Sequence, residues 1–166
     1  MPGTSAPKID GAAKAIVAAI KAVSPTIPPE VVHDRERMIL TRGGLALVGY
    51  DADRGRIHLW ELALVSAVER EIPAGGFFID DMEWAARGLL GYSDGIDDAV
   101  NSTVEFRSIV EAARNGLRAA TTVFGNFIEA ERTTRLVTLS LVNVEGFGVC
   151  HFAEIRFRIE ATTNDI

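Results

Sequence analysis

The sequence predicts an α+β fold, a mostly antiparallel β-sheet packed against two main helices and closed by a C-terminal β-hairpin. Three observations carry that expectation. An alanine-rich stretch from Ile9 to Val23 repeats Ile9, Ala13, Ile16, Val17, Ile20 and Val23 at three- and four-residue steps, which is the spacing of one helix face. A second stretch, running to about Ala120, lines up Val100, Thr103, Phe106, Val110, Ala113 and Leu117, with Glu105, Arg107, Glu111 and Arg114 on the solvated side. Finally, Leu136 to Val144 and Val149 to Ala161 flank Glu145-Gly146-Phe147-Gly148, where the glycines permit the positive φ values of a tight hairpin.

Taken in chain order, Met1 to Lys8 holds two prolines, a glycine and small polar residues, a composition expected to form a loose tail before a single domain spanning residues 9–166. The first helix ends at Ser24-Pro25, and Pro25, Pro28 and Pro29 extend the chain after it. Val31 to Tyr50 shows no sustained period. Asp51 to Gly55 reads as a turn into a strand from Arg56 to Arg70, with Ile57, Leu59, Glu61, Ala63 and Val65 on one side and His58, Trp60, Leu62 and Leu64 on the other. A helix also fits that stretch. Pro73 to Gly76 is a turn, and Trp84, Ala86, Gly88, Leu90 and Tyr92 share one face if Phe77 to Tyr92 is a strand. The carboxylates of Asp94 to Asp98 suit a helix start, where the dipole favours negative charge. In the last strand Ala153, Ile155, Phe157 and Ile159 alternate with Glu154, Arg156, Arg158 and Glu160, one face for a core and one for water or a polar partner.

Composition narrows the function classes. The chain has 166 residues, 48% hydrophobic and 24% charged, which suffices for one domain with its own core. Seventeen Lys and Arg against 23 Asp and Glu leave a net charge of −6, which argues against wrapping nucleic acid. No apolar run reaches the length of a membrane span, and the Ile9 to Val23 stretch, interrupted by Lys14 and Lys21, reads as a helix of the mature protein. One cysteine, Cys150, cannot form an intrachain disulfide, so a reducing interior is the expected compartment.

No catalytic constellation stands out. Cys150 and His151 are adjacent, but neighbours on a strand point to opposite faces, so a structural buried thiol is expected over a Cys-His nucleophile. His33, His58 and His151 lack any zinc-ligand spacing, and neither Asp80-Asp81-Glu83 nor Asp94-Asp97-Asp98 matches a calcium loop, so no metal and no cofactor is expected. The first of these acidic groups reads as a solvated turn. Gly43-Gly44 and Gly75-Gly76 lack phosphate-cradle spacing. The run His33-Asp34-Arg35-Glu36-Arg37 is either a solvated loop or a subunit contact in which Arg35 and Arg37 meet a neighbour's carboxylates.

Several segments resemble tailed-phage and prophage tail terminators of the head–tail neck: Val32-His33-Asp34 with Arg37, Arg56 to Leu62 with Trp60, Gly88 to Arg118, and Gly148 to Ile159. Together they cover about Val31 to Ala161, leaving Thr41 to Tyr50 and Thr121 to Thr134 unassigned. The resemblance implies a structural virion protein and not an enzyme. It implies a homo-oligomeric, six-fold ring that caps the tail tube, docks to neck and head-completion proteins, and is assembled in the host cytoplasm. DNA would pass through its lumen without specific binding, which the net acidity suits. The expected subunit-interface residues are Arg35, Arg37, Trp60, Arg156 and Arg158. Two other readings compete: a small-molecule or peptide-binding α+β module with Trp60, Trp84 and Tyr92 around a pocket, and, last, an enzyme built on Cys150 or a histidine.

Overall fold

The structure is a computed structural model that describes residues 6–23, 26–38, 42–51, 55–72, 77–93, 101–119, 127–128 and 134–162. The first helix, α1 (Ala6–Lys21), starts earlier than the sequence suggests. Pro7 sits in its first turn, where the missing N–H has no intrahelical acceptor to lose. The expected tail boundary at Lys8 is therefore corrected, since Ala6, Pro7 and Lys8 are helical. Ala12, Ala13, Ile16, Val17, Ala19 and Ile20 form its buried face, whereas Ile9 is 40% exposed. A 3-10 turn at Pro29–Val31 leads into the short β1 (Val32–His33), and the segment without a period then supplies α2 (Arg42–Gly49) and β2 (Tyr50–Asp51).

The long β3 (Arg56–Ile72) and β4 (Phe77–Gly91) settle the helix-or-strand ambiguity in favour of strands. Next comes α3 (Ser102–Ala119), which starts at Ser102 and not at the Asp94 to Asp98 cluster; residues 94–100 lie outside the described residues, as do Pro73 to Gly76. A two-residue β5 (Phe127–Ile128), then β6 (Arg135–Val144) and β7 (Gly148–Thr162), complete the chain. The hairpin forms as expected, with Gly146 at φ 84° and Gly148 at φ 74°, values that L-residues with a Cβ rarely adopt.

The sheet is seven-stranded and mostly antiparallel, in the order β1-β3-β4-β7-β5, with β2 on β3 and β6 on β7. Among the described residues only β1 runs parallel to its neighbour. Both α1 and α3 pack on one face, over Trp60, Leu62, Met82, Trp84, Ala86, Leu90, Ala153, Ile155, Phe157 and Ile159. These are alternate residues of β3, β4 and β7, so the period of two read from the sequence is the period of burial. A smaller cluster, Leu45, Ile57, Leu59, Leu89 and Cys150, covers one end of the opposite face beneath α2.

Trp60 shows how side-chain size sets this packing. Its register partner on β4 is Gly88, whose own partner on β7 is Ala153, and the fully buried indole lies across the glycine. A Cβ at position 88 would meet Trp60 Cζ2 at 2.6 Å. Gly88→Ala is therefore expected to overpack the core and destabilise the fold by about 1–3 kcal/mol, read as a lower urea midpoint at unchanged slope.

Candidate functional site

Two polar constellations lie on the helix-covered face. At the start of α3, Ser93 and Ser102 clasp the ends of the segment between them: Ser102 N–H donates to Ser93 O at 3.1 Å and Ser93 N–H donates to Ser102 Oγ at 2.8 Å. Ser102 is fully buried, and its Oγ shares a hydrogen bond with His151 Nε2, 2.9 Å away. Asn101 Oδ1 accepts from Thr103 N–H, so the helix start is capped. His151 is flanked by the rings of Tyr92 and Phe106, both at 5.3 Å between centroids. Burial holds its imidazole below the ordinary range, with Arg56 and Arg107 adding to the effect and Glu105 opposing it. Arg56 in turn pairs with Glu105. A shallow groove of about 260 Å³ runs beside this histidine, lined by Thr103, Phe106, Arg107, Leu139, Ser140 and Leu141.

The second constellation is Asp51, His58 and Trp60. Trp60 Nε1–H donates to His58 Nε2 at 3.2 Å, which leaves the ring proton on Nδ1, 3.8 Å from Asp51 Oδ2. His58 is fully buried and Asp51 is 6% exposed, so the chain holds the Trp60 indole and offers no reactive group to a ligand. Ser102 is likewise sealed, and a serine nucleophile needs an accessible Oγ.

The uncovered face of the sheet is ionic. Glu61 on β3, Arg87 on β4 and Glu154 on β7 lie in one cross-strand row. Arg87 Nε donates to Glu154 at 2.9 Å and its guanidinium comes within 3.9 Å of Glu61. Glu61 also accepts the backbone N–H of Arg37 and, at 2.8 Å, that of Met38, which ties the charged segment after β1 onto this face. Arg156 and Arg135 are register partners, an unfavourable like-charge juxtaposition. Each guanidinium turns aside to a carboxylate: Arg156 to Glu154 at 2.7 Å and Arg135 to Glu83 at 2.9 Å. Arg158 pairs with Asp81. Burial alone would raise the Glu154 carboxyl, but hydrogen bonds from Arg87 and Arg156 outweigh it and hold the group below the usual carboxylate range.

These placements revise the residue-level expectations. Trp60 is core and is no surface anchor, because a flat indole over Gly88 is buried more completely than any contact surface allows. With Trp84 also 3% exposed, the expected Trp60, Trp84 and Tyr92 pocket does not form; only Tyr92, at 42%, reaches the surface. Arg156 and Arg158 do lie on the open face, but their charge is met within the subunit. Arg35 is exposed and Arg37 half-buried. Asp81 and Glu83 belong to β4 and not to a turn. Cys150 is buried on the face opposite His151, and burial pushes its thiol up, away from the thiolate a nucleophile requires. Among the described residues no group of three or more His, Cys, Asp or Glu is placed to hold a metal ion, and no helix is long and apolar enough to cross a membrane.

What the residue pattern missed are groups brought together by tertiary structure: Ser102 with His151 and Arg56 with Glu105 through the packing of α3 on the sheet, and the β4 and β6 partners of the β7 arginines through register. In comparison with known proteins, no family model matches the chain and no curated protein matches it.

Two outcomes follow from the His151 cluster. Ser102→Ala strands Ser93 N–H and His151 Nε2 and is expected to cost about 1–3 kcal/mol in urea unfolding. Because folded His151 resists protonation, the unfolded chain takes up that proton first as pH falls below 6.5. Its contribution to stability is therefore complete above that value and declines below it until the folded group titrates too. A His151→Gln variant is expected to lose less stability than wild type between about pH 7.5 and about pH 5.5, a window that brackets the unperturbed imidazole.

Proposed function

We propose that this protein is a structural subunit of a phage-like particle, a tail terminator that assembles as a ring, caps the tail tube and docks to neck proteins of the head. The observation that carries the reading is the outer half of β3. From Leu64 to Glu71 every residue is exposed, although the strand is bonded to β4 throughout. Leu64, Val65 and Val68 are 36%, 40% and 60% exposed there. A long strand with uncovered apolar side chains is a surface that a stable monomer blunts and an assembling subunit uses.

Two further features support the reading. The order of helix, long hairpin, helix and closing hairpin is the α+β arrangement that the resemblance implies. The buried polar groups are committed to holding the fold: His58 to Trp60, His151 to Ser102, and Glu154 to two arginines. In this reading the tube protein and the neck proteins are the partners, the virion is the location, and DNA crosses the lumen of a ring of six acidic subunits without being gripped.

Mass measurements over a concentration series, with negative-stain images of the same samples, test the proposal. The expected outcome is association of the 17.9 kDa chain into a closed ring of six copies. A monomer at every concentration, and also in the presence of tube ends, would overturn it.

A further inference from the structure

We propose that the free edge of β6 in one subunit pairs with the free outer half of β3 in the next, so that copies add head to tail through one continuous antiparallel sheet. The inference rests on the ring reading above and names the surface that closes it. Among the described residues β6 is bonded to β7 on one side only. It exposes Val137, Leu139 and Leu141 at 45%, 45% and 55%. At the other end of the sheet, β3 meets β2 at Arg56 and Ile57 and β1 at Trp60 and Glu61. Beyond Leu64 its outer side has no strand partner among the described residues. Among the described residues each subunit therefore carries two unpaired apolar edges at opposite ends of one sheet, which is the arrangement of a heterologous contact and not of a self-complementary one.

Strand direction and charge both fit this occupant. In the order β3, β4, β7, β6 every neighbour is antiparallel, so β6 runs opposite to β3 and a following β3 continues the alternation. After the irregularity between Leu64 and Ser66, Ala67 is the register partner of the core residue Met82. Period two then puts Glu69 and Glu71 toward the helix-bearing face. That is the face on which Arg107 of α3 lines the groove beside Leu139 and Leu141. A neighbour's β3 laid along β6 thus brings carboxylates toward a guanidinium and sets Leu64 and Ala67 on the face of Leu139 and Leu141, while Val68, the register partner of Asp81, lies along the same edge on the opposite face.

The test uses two variants of the full chain, Leu141→Lys on β6 and Val68→Lys on β3, both at sites already more than half exposed. Far-UV circular dichroism and melting temperature establish folding, and Leu139→Glu replaces Leu141→Lys if that variant does not fold. Each variant alone is expected to stay monomeric at concentrations where the wild type is assembled. An equimolar mixture is expected to form a species of twice the 17.9 kDa chain mass, because it retains one intact β3 edge and one intact β6 edge. Wild-type-like assembly of either variant, or a mixture that remains monomeric, overturns the edge pairing and leaves the ring reading standing. A wild type that is monomeric at every concentration and also in the presence of tube ends overturns both.

Discussion

The seat of Trp60 over Gly88 is the constraint on which the rest of the structure depends. A fully buried indole fits at the centre of a sheet only if its neighbours on the next strands are small, and Gly88 and Ala153 meet that requirement in a single register. Sliding β4 by one residue would set Arg87 or Leu89 against the ring and would carry the charged residues of β4 into the helix-covered core. Such a slip inverts every side chain of a strand at once. The hydrogen bond from Trp60 to His58, with Asp51 behind it, secures the indole from the other side. His58 gives the buried Trp60 N–H its acceptor, and His151 stands within hydrogen-bond reach of the buried Ser102 hydroxyl, so both histidines serve the polar groups of the helix-covered layer.

The register that seats Trp60 also assembles the ionic face. Once Trp60 stands opposite Gly88, Glu61 must stand opposite Arg87 and Arg87 opposite Glu154. Exposed pairs such as Arg158 with Asp81 contribute only about 0–1 kcal/mol each, so the value of the face lies elsewhere. Four carboxylates and four guanidinium groups meet there across four strands, which lets the sheet face water beyond the end that α2 covers. Glu154, 7% exposed, differs from the other three carboxylates because it hydrogen-bonds two guanidinium groups at once. Removing it would leave both facing each other and Arg135 without their shared carboxylate.

How much of this was legible in the sequence depended on whether an element's partner was local. The α3 face was readable because Phe106, Val110, Ala113 and Leu117 repeat within one helix. The closing hairpin was readable because two glycines mark its turn. The start of α3 was misread, since the Asp94 to Asp98 carboxylates are a generic dipole signal whereas Asn101 and Ser102 cap through contacts with Thr103 and with a serine nine residues upstream. β3 and β4 looked ambiguous because a strand that is apolar on both sides at one end and polar at the other has no clean period. The α2 segment had no period at all, as its buried contact is essentially Leu45 against Ile57, Leu59 and Leu89 from other elements. At the site, arginine and glutamate alternation on β7 was visible, but the carboxylates that neutralise it come from β4, and only register reveals them.

That last gap explains why the residues that looked most like contacts are poor ones. A charged side chain on a strand face looks available when its strand is read alone, yet Arg156 and Arg158 reach carboxylates inside the subunit before any neighbour arrives. An apolar side chain at a sheet edge has no such internal remedy. Leu139, Leu141 and Val68 remain exposed on β6 and on the half of β3 beyond β1 and β2, where no further strand lies alongside among the described residues. Edges paired antiparallel can be extended without altering the core, the Trp60 seat or the ionic rows, so association at the edges leaves every internal constraint satisfied. Association through the ionic face would instead have to desolvate paired charges, which recovers little of what it removes. The physical economy of the molecule therefore points its assembly outward along the sheet, in the direction of the strand order.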